Sequence, residues 1–114
     1  MHLKDKTVLV TGGGRGLGRA YCEALAKVGA SVVVADIRET QDTVETIISA
    51  GGKAIGLSLD VTNMSSCQNM ADRAIKEYGN INCLVNNAAL YGDISGGKFD
   101  QLTDNQWDSV MVVN

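Results

Sequence analysis

The sequence lacks a run of basic residues and a long apolar segment. It has 114 residues, with 10 Lys and Arg against 13 Asp and Glu, and a formal net charge of −3. Proteins whose main partner is nucleic acid usually concentrate positive charge, so this balance argues against nucleic acid. No apolar segment approaches the length of a membrane span, and no signal-peptide core follows the first residues. We therefore expect a cytoplasmic protein with no membrane partner.

The sequence also lacks the residue spacings that metal and redox sites require. It contains one histidine, His2, and three cysteines, Cys22, Cys67 and Cys83, with no C-x-x-C pair. The cysteines lie inside predicted helices or strands, which is typical of reduced thiols that pack rather than react. We expect no metal site, and we assign no function to His2.

A glycine-rich turn is the most informative feature that is present. The apolar run Val8-Leu9-Val10 leads into Thr11–Gly18, and an amphipathic helix follows at once. Backbone N–H groups of such a turn, together with a helix N-terminus, suit a diphosphate. The G-x-G-x-x-G motif does not occur. A P-loop is also absent, because Arg19-Ala20 stands where a P-loop has Lys-Ser/Thr. The alternative interpretation is a glycine-rich connection that binds no ligand.

An acidic residue follows at the distance expected for a nucleotide site. Ser31–Asp36 is predicted as a buried parallel strand, because its apolar run is uninterrupted. Asp36 ends this strand 18 residues after Gly18, near the usual spacing for an acid that accepts hydrogen bonds from a ribose. Aspartate at a strand end is otherwise often a turn or cap residue. The turn and the acid together favour nucleotide binding.

Strands and helices alternate along the rest of the chain, which predicts a parallel sheet with right-handed crossovers. In such sheets ligands bind at the carboxyl ends of the strands. The glycine turn, Asp36, Asp60 and Asn87-Ala88-Ala89 each follow a predicted strand and should line one crevice. The further predicted elements are a helix with apolar residues Leu17, Tyr21, Ala24, Leu25 and Val28 ending at Gly29, a helix over 39–50, a strand over 53–60, a helix ending at Gly79, a strand over 81–86, a surface loop over 90–102, and a last helix with a capping box at Thr103 and Gln106.

The last predicted helix ends in Val110–Asn114 without a glycine cap, a proline or a polar tail. Its apolar residues need a surface to pack against, and the fourth strand would remain an open edge. We therefore expect the chain to be the first part of a longer domain.

Taken together, these motifs resemble the short-chain dehydrogenase/reductase family. The resemblance covers residues 4–114 and rests on Thr11-Gly12-x-x-x-Gly16-x-Gly18, Asp36, Asp60-Val61, Asn86–Ala89, and Asn114 after Trp107-Asp108. It implies an α/β domain over 1–114 of the Rossmann type, with a doubly wound parallel sheet that stops here after four strands. It also implies an NAD(P)-dependent oxidoreductase that transfers hydride between the cofactor and a small alcohol or carbonyl compound, for example a 3-oxoacyl reductase or a secondary-alcohol dehydrogenase. In addition it implies a dimer or tetramer.

The resemblance also implies a role for individual residues. The glycine motif would hold the pyrophosphate, Asp36 the adenosine ribose, Asp60-Val61 the adenine, and the segment after the fourth strand the nicotinamide ribose. Within that segment we expect Asn86 to brace the sheet and Asn87 to contact the cofactor, and Ala89 departs from the family's usual glycine. Asn114 matches a catalytic asparagine. The residues assigned to the cofactor are Gly12, Arg15, Gly16, Leu17, Gly18, Asp36, Ile37, Asp60, Val61, Asn87, Ala88 and Ala89.

One part of the family pattern is missing from the chain. Catalysis in the family uses Ser, Tyr and Lys, with the Tyr and Lys four residues apart. Here Tyr21, Tyr78 and Tyr91 are followed four residues later by leucine, asparagine and serine. A tyrosine needs its pKa lowered, typically by a nearby cation, to exchange protons near neutral pH. We therefore expect these 114 residues to be inactive by themselves.

The sequence leaves two alternatives open for the cofactor, for the loop after the fourth strand and for the function of the chain. Asp36 favours NAD, because a carboxylate repels the 2′-phosphate of NADP, whereas Arg15 and Arg38 could pair with that phosphate. Tyr91 and the loop 92–99 either border a substrate pocket or form an exposed variable loop. The chain is either the cofactor-binding part of an oxidoreductase or a non-catalytic module that binds a dinucleotide or docks on a partner.

Overall fold

The computed structural model describes residues 2–90 and 97–114. In these ranges strands and helices alternate as the sequence predicts. The elements are β1 (Thr7–Thr11), α1 (Gly16–Lys27), β2 (Ser31–Asp36), α2 (Gln41–Ser49), β3 (Lys53–Ser58), α3 (Met64–Tyr78), β4 (Cys83–Val85), a short 3-10 turn (Phe99–Gln101) and α4 (Asp104–Val113). Tyr91 and most of the predicted 92–99 loop lie outside the described residues.

The strands found in the described residues form one parallel sheet in the order β3-β2-β1-β4. Val8 of β1 pairs with Val32 of β2 on one side and with Cys83 of β4 on the other. The chain moves outward from β1 to β3 and then returns to the far side of β1, so the strand order reverses between β1 and β4. This confirms the predicted α/β fold, and such a reversal creates a crevice at the carboxyl ends of the strands.

Both faces of the two central strands are covered, and every residue of β1 and β2 is buried. This burial explains their apolar sequences, because a parallel strand between two layers of helices has no solvent-facing side. The two apolar clusters lie on opposite faces of the sheet. Helices α1 and α2 contribute to one of them and α3 to the other; the first includes Val8, Val10, Val32, Val34, Cys22, Ala26 and Ile47, and the second includes Leu9, Val33, Ala35, Leu57, Leu59, Met70 and Ala74.

Helix α1 is present as predicted, but its large apolar residues do not form the buried face. The buried residues are Gly18, Cys22 and Ala26, whereas Leu17 is 63 % exposed, Leu25 is only partly buried, and Val28, just after the helix, is 57 % exposed. Small side chains let the helix axis approach the sheet closely, and this approach displaces the larger residues to the flanks. Some of the larger residues border an open groove beside β4, lined by Leu3, Tyr21, Ala24, Leu25, Val28, Val85, Asn86 and Asn87.

Strands β3 and β4 are shorter than predicted, and side chains account for the ends of β4. The predicted strand 81–86 shortens to Cys83–Val85. Before it, the N–H of Thr7 donates to Oδ1 of Asn82 at 2.8 Å, and after it, the N–H of Asn87 donates to Oγ1 of Thr11 at 3.0 Å. Side-chain oxygens therefore take the place of backbone carbonyls at both ends of this pairing. The predicted strand 53–60 likewise ends at Ser58.

The predicted helix ends agree well with the structure. Gly29 and Gly79 adopt positive φ angles of 95° and 85°, as residues that follow a helix often do. Helix α4 begins with the predicted capping box, in which Oγ1 of Thr103 accepts from the N–H of Gln106 and the Gln106 side chain accepts from the N–H of Thr103.

The Cys22 thiol is expected to be inert in the folded protein. Its side chain is 0 % exposed, and burial raises its pKa to about 12. Because the thiolate is the reactive form, iodoacetamide at pH 8 should spare Cys22 while it modifies the partly exposed Cys67 and Cys83. Mass spectrometry of peptides after native labelling measures this, with denatured protein as the control. Labelling of Cys22 at the rate of Cys67 would contradict the packing described here.

Candidate functional site

A cleft of about 640 Å³ lies at the carboxyl ends of the strands. It contains every residue that the sequence assigned to the cofactor, drawn from segments that are far apart in the chain. Four further lining residues, Arg38, Leu59, Leu90 and Val113, were not in that set. Leu59 lies within the predicted strand 53–60, but the observed strand ends at Ser58. No sequence motif marks Leu90 or Val113. The structure therefore brings the predicted residues together, while their binding roles remain predictions.

Backbone N–H groups at the start of α1 form one wall of the cleft. The first hydrogen bond of the helix runs from the N–H of Arg19 to the carbonyl of Arg15 at 3.2 Å. The N–H groups of Gly16, Leu17 and Gly18 precede that bond, and all three residues line the cleft. The N-terminus of a helix carries partial positive charge, so this wall is suited to an anion.

Three glycines of the turn serve different geometric purposes. A methyl group on Gly18 would overlap the carbonyl oxygen of Gly12 and lie 2.5 Å from Nδ2 of Asn87. One on Gly12 would lie 2.9 Å from the same Nδ2. Gly16 has a φ of 56°, which favours glycine, and a methyl group there would meet no atom within 4 Å. Gly12 and Gly18 thus permit close packing, and Gly16 leaves the cleft open for a ligand to approach the backbone.

Asn87 and Thr11 join the glycine turn to the segment after β4. Nδ2 of Asn87 donates to the carbonyls of Thr11 at 3.1 Å and Gly12 at 3.3 Å. Oγ1 of Thr11 in turn accepts from the N–H groups of Asn87 and Ala88, each at 3.0 Å. The bracing that we expected of Asn86 is therefore made by Asn87, and Asn86 is exposed. Sequence reasoning missed Thr11 as a bracing residue, although a threonine at the end of a buried strand is a usable signal.

Asp36 presents a fixed carboxylate to the cleft. The side chain is 9 % exposed, its Oδ2 accepts from the N–H of Gly14 at 2.9 Å, and its Oδ1 accepts from the N–H of Arg38 at 3.1 Å. A carboxylate offers about four acceptor positions, so lone pairs remain for further donors. Ile37, exposed beside it, also lines the cleft.

Asp60 occupies the turn between β3 and α3. Its Oδ1 accepts from the hydroxyl of Thr62 at 2.6 Å and from the N–H of Thr62 at 2.9 Å. These two hydrogen bonds lower the pKa of Asp60 below its ordinary value. The N–H of Asp60 donates to Oγ of Ser66 at 2.9 Å. Asp60 therefore shapes the turn that places the half-buried Val61 against the cleft.

Asn114 joins the end of α4 to the segment that follows β4. Its Oδ1 accepts from the N–H of Leu90 at 2.7 Å, and its Nδ2 lies 3.5 Å from the carbonyl of Leu90. Leu90 and Val113 line the cleft, whereas Asn114 itself is exposed at the helix end. Its catalytic role stays a prediction.

Two negative observations hold for residues 2–90 and 97–114. No group of three or more His, Cys, Asp or Glu side chains in these ranges could hold a metal ion. None of the helices in this part of the chain is both long and apolar enough to cross a membrane.

The strand order and the cleft at the carboxyl ends of the strands define a Rossmann-type α/β protein. The model of the family described as "short chain dehydrogenase" matches residues 6–114, and the chain belongs to this family. It is 40 % identical over 114 residues to a peroxisomal hydratase-dehydrogenase-epimerase of Neurospora crassa, and 38 % identical over 116 residues to versicolorin reductase 1 of Dothistroma septosporum. A short-chain dehydrogenase/reductase from Burkholderia phymatum, solved in complex with NAD, superposes with a TM-score of 0.91 at 35 % identity.

The chain spans less than half of each of these proteins. Its matches cover 100 % of the chain but 12 % of the Neurospora protein, 99 % of the chain but 43 % of the Dothistroma protein, and 99 % of the chain but 40 % of the Burkholderia structure. The family and the fold are thus established for residues 6–114, and the activity of a whole protein is a separate question.

Gly18→Ala and Gly16→Ala are expected to differ strongly in their effect on stability. Gly18→Ala forces a methyl group into the Gly12 carbonyl and should lower the free energy of unfolding by about 3 kcal/mol, the upper end of the usual cost of overpacking. Gly16→Ala has room and incurs only the left-handed backbone penalty, about 1–2 kcal/mol. Urea unfolding followed by circular dichroism measures both. Equal losses for the two variants would refute the close packing of α1 on the turn.

Proposed function

We propose that the protein is an NAD-dependent oxidoreductase of the short-chain dehydrogenase family and that these residues supply its dinucleotide-binding part. The observation that carries the proposal is the single cleft in which the N-terminus of α1, the glycine turn and the Asp36 carboxylate meet. An anion-binding helix end beside a hydrogen-bond acceptor suits a diphosphate joined to a ribose.

The residues that would hold the cofactor follow from their positions. The N–H groups of Gly16, Leu17 and Gly18 would bind the pyrophosphate, and Asp36 would accept from the hydroxyls of the adenosine ribose. The cavity volume of about 640 Å³ is within the usual range for a cofactor site.

The remaining cleft residues would hold the two ends of the dinucleotide. Ile37, Asp60 and Val61 would flank the adenine, and Asn87, Ala88 and Ala89 would lie behind the nicotinamide ribose. Asn87 would act mainly by holding the turn in place, because its amide is bonded to Thr11 and Gly12.

The nicotinamide, when bound, supplies hydride exchange with a carbon atom of an alcohol or carbonyl substrate. This chain's own part is to bind and orient the dinucleotide. The chain contains no Tyr-x-x-x-Lys, so we assign no proton-transfer step to its residues beyond a relay at Asn114. One related protein is a versicolorin reductase. The proposal also includes a small alcohol or ketone substrate and a homo-oligomeric state.

The preference for NAD over NADP rests on Asp36. Its carboxylate is held at the end of β2 by two backbone N–H groups, so it cannot turn away from a ribose bound there. A 2′-phosphate would bring like charges together. Arg15 and Arg38 also line the cleft and would reduce this repulsion, but both are exposed to solvent, whereas Asp36 is buried.

A second candidate is a dinucleotide-binding or partner-docking module without catalysis. The open groove beside β4 favours it. The full-length protein should form NADH from NAD and a panel of secondary alcohols if the oxidoreductase proposal is correct. Tight NAD binding without any turnover across the panel, in either direction, would favour the second candidate.

Asp36→Asn should narrow the preference for NAD. The amide keeps an oxygen for the Gly14 N–H but removes the charge that repels a 2′-phosphate. The ratio of the NADP and NAD dissociation constants, measured by isothermal titration calorimetry, should fall about tenfold, which corresponds to ~1.4 kcal/mol. Asp72→Asn removes an exposed charge on α3 that lies outside the cleft and is the matched control. An unchanged ratio in Asp36→Asn would contradict the role of Asp36.

A further inference from the structure

Thr43 is a buried polar residue that no motif assigns to the site. It lies in the first turn of α2, and its side chain is 0 % exposed. Its hydroxyl donates to the carbonyl of Gly13 at 3.0 Å and lies 3.3 Å from the carbonyl of Gly14. The hydroxyl of Thr46 on the same helix instead donates to the carbonyl of Asp42 at 2.8 Å, within its own helix, which is common for threonine. It also accepts from Nη2 of Arg19 on α1 at 2.9 Å, and it does not contact the glycine turn. Thr43 therefore reaches out of its helix to the glycine turn.

The peptide unit that Thr43 contacts is also the one that holds Asp36. The carbonyl of the Gly13–Gly14 peptide accepts from Thr43, and the N–H of the same peptide donates to Oδ2 of Asp36 at 2.9 Å. In a trans peptide these two groups point in opposite directions. Fixing the carbonyl toward α2 therefore fixes the N–H toward the end of β2. A hydrogen bond at one end of an amide also polarises the other end and strengthens its bond.

The surroundings of this peptide leave it little freedom. The N–H of Gly13 donates to the carbonyl of Ala35 at 3.1 Å. A methyl group on Gly14 would overlap the carbonyl oxygen of Glu39 and lie 2.9 Å from Oδ2 of Asp36, and one on Gly13 would lie 2.9 Å from Sγ of Cys22. The turn, the end of β2 and the start of α2 thus pack together as one unit.

We propose that Thr43 is a positioning residue for dinucleotide binding, acting through the Gly13–Gly14 peptide on the Asp36 carboxylate. The inference rests on the proposed function, since it assigns Asp36 to the adenosine ribose. Without the Thr43 hydroxyl, the Gly13 carbonyl loses a buried donor, and the Gly13–Gly14 peptide loses one of the hydrogen bonds that fix its orientation. The Asp36 carboxylate keeps its hydrogen bond from the Arg38 N–H, but the bond from the Gly14 N–H weakens and the orientation of the carboxylate is less fixed. NAD should lose more affinity than NADP, because NAD depends on that orientation and NADP is repelled by it.

The decisive comparison is Thr43→Val against Thr46→Val in the full-length protein. Both changes replace a hydroxyl by a methyl group on α2, but only the Thr43 hydroxyl donates to the glycine turn, whereas the Thr46 hydroxyl contacts Asp42 and Arg19. Calorimetric titration should show the NAD dissociation constant rising about five- to tenfold in Thr43→Val, with a smaller rise for NADP. Thr46→Val should keep both constants. In the absence of ligand, the Gly14 amide should exchange its hydrogen faster in Thr43→Val than in the wild type.

A second pair keeps the test valid if Thr43→Val fails to fold. Thr43→Ser retains the hydroxyl and Thr43→Ala removes it, so their difference isolates the hydrogen bond. Thr43→Ser should bind NAD within about twofold of the wild type, and Thr43→Ala should show the larger loss. Proportional losses for NAD and NADP, or NAD affinity unchanged without the hydroxyl, would overturn the positioning role alone. A wild-type protein that binds neither dinucleotide would overturn the proposed function, and this inference with it.

Discussion

The candidate site depends on the close approach of α1 to the glycine turn. Gly18 lies so near the carbonyl of Gly12 that no side chain fits between them. This approach brings the N-terminus of α1 to the carboxyl ends of the strands and leaves Gly12 within reach of the Asn87 amide. A larger residue at position 18 would move the helix, and the anion-binding wall of the cleft would move with it.

Side-chain hydrogen bonds, rather than the strand ladder alone, hold the segments around the cleft together. Strand β4 has three residues, and the segment after it is tied to β1 by Thr11 and Asn87. On the opposite side, Thr43 and Asp36 hold the Gly13–Gly14 peptide between α2 and β2. The glycine turn is therefore bonded on both sides, which suits a site that must present its N–H groups in a fixed geometry.

The fold could be predicted from the sequence, because strand burial and strand–helix alternation are local signals. The residues assigned to the cleft could also be predicted, because the position of a ligand follows from the topology of the sheet. The hydrogen-bond partners of individual polar side chains could not be predicted from the sequence. Asn86 and Asn87 are adjacent in the sequence, and only the end of β4 decides which one reaches the turn. Thr43 lies 30 residues after Gly13, and a threonine inside a helix carries no signal of such a contact. The buried face of α1 was also missed, because glycine, cysteine and alanine form it and the larger apolar residues do not.

The most direct test of the account is an NMR titration of the ¹⁵N-labelled protein with NAD. The account predicts the largest amide shifts at Gly16, Leu17 and Gly18 and at residues around Asp36, since these line the cleft. It predicts small shifts in the groove beside β4, at residues such as Leu25 and Val28. Saturating shifts confined to that groove, or no shifts at millimolar NAD, would contradict the claim that the cleft is a dinucleotide site.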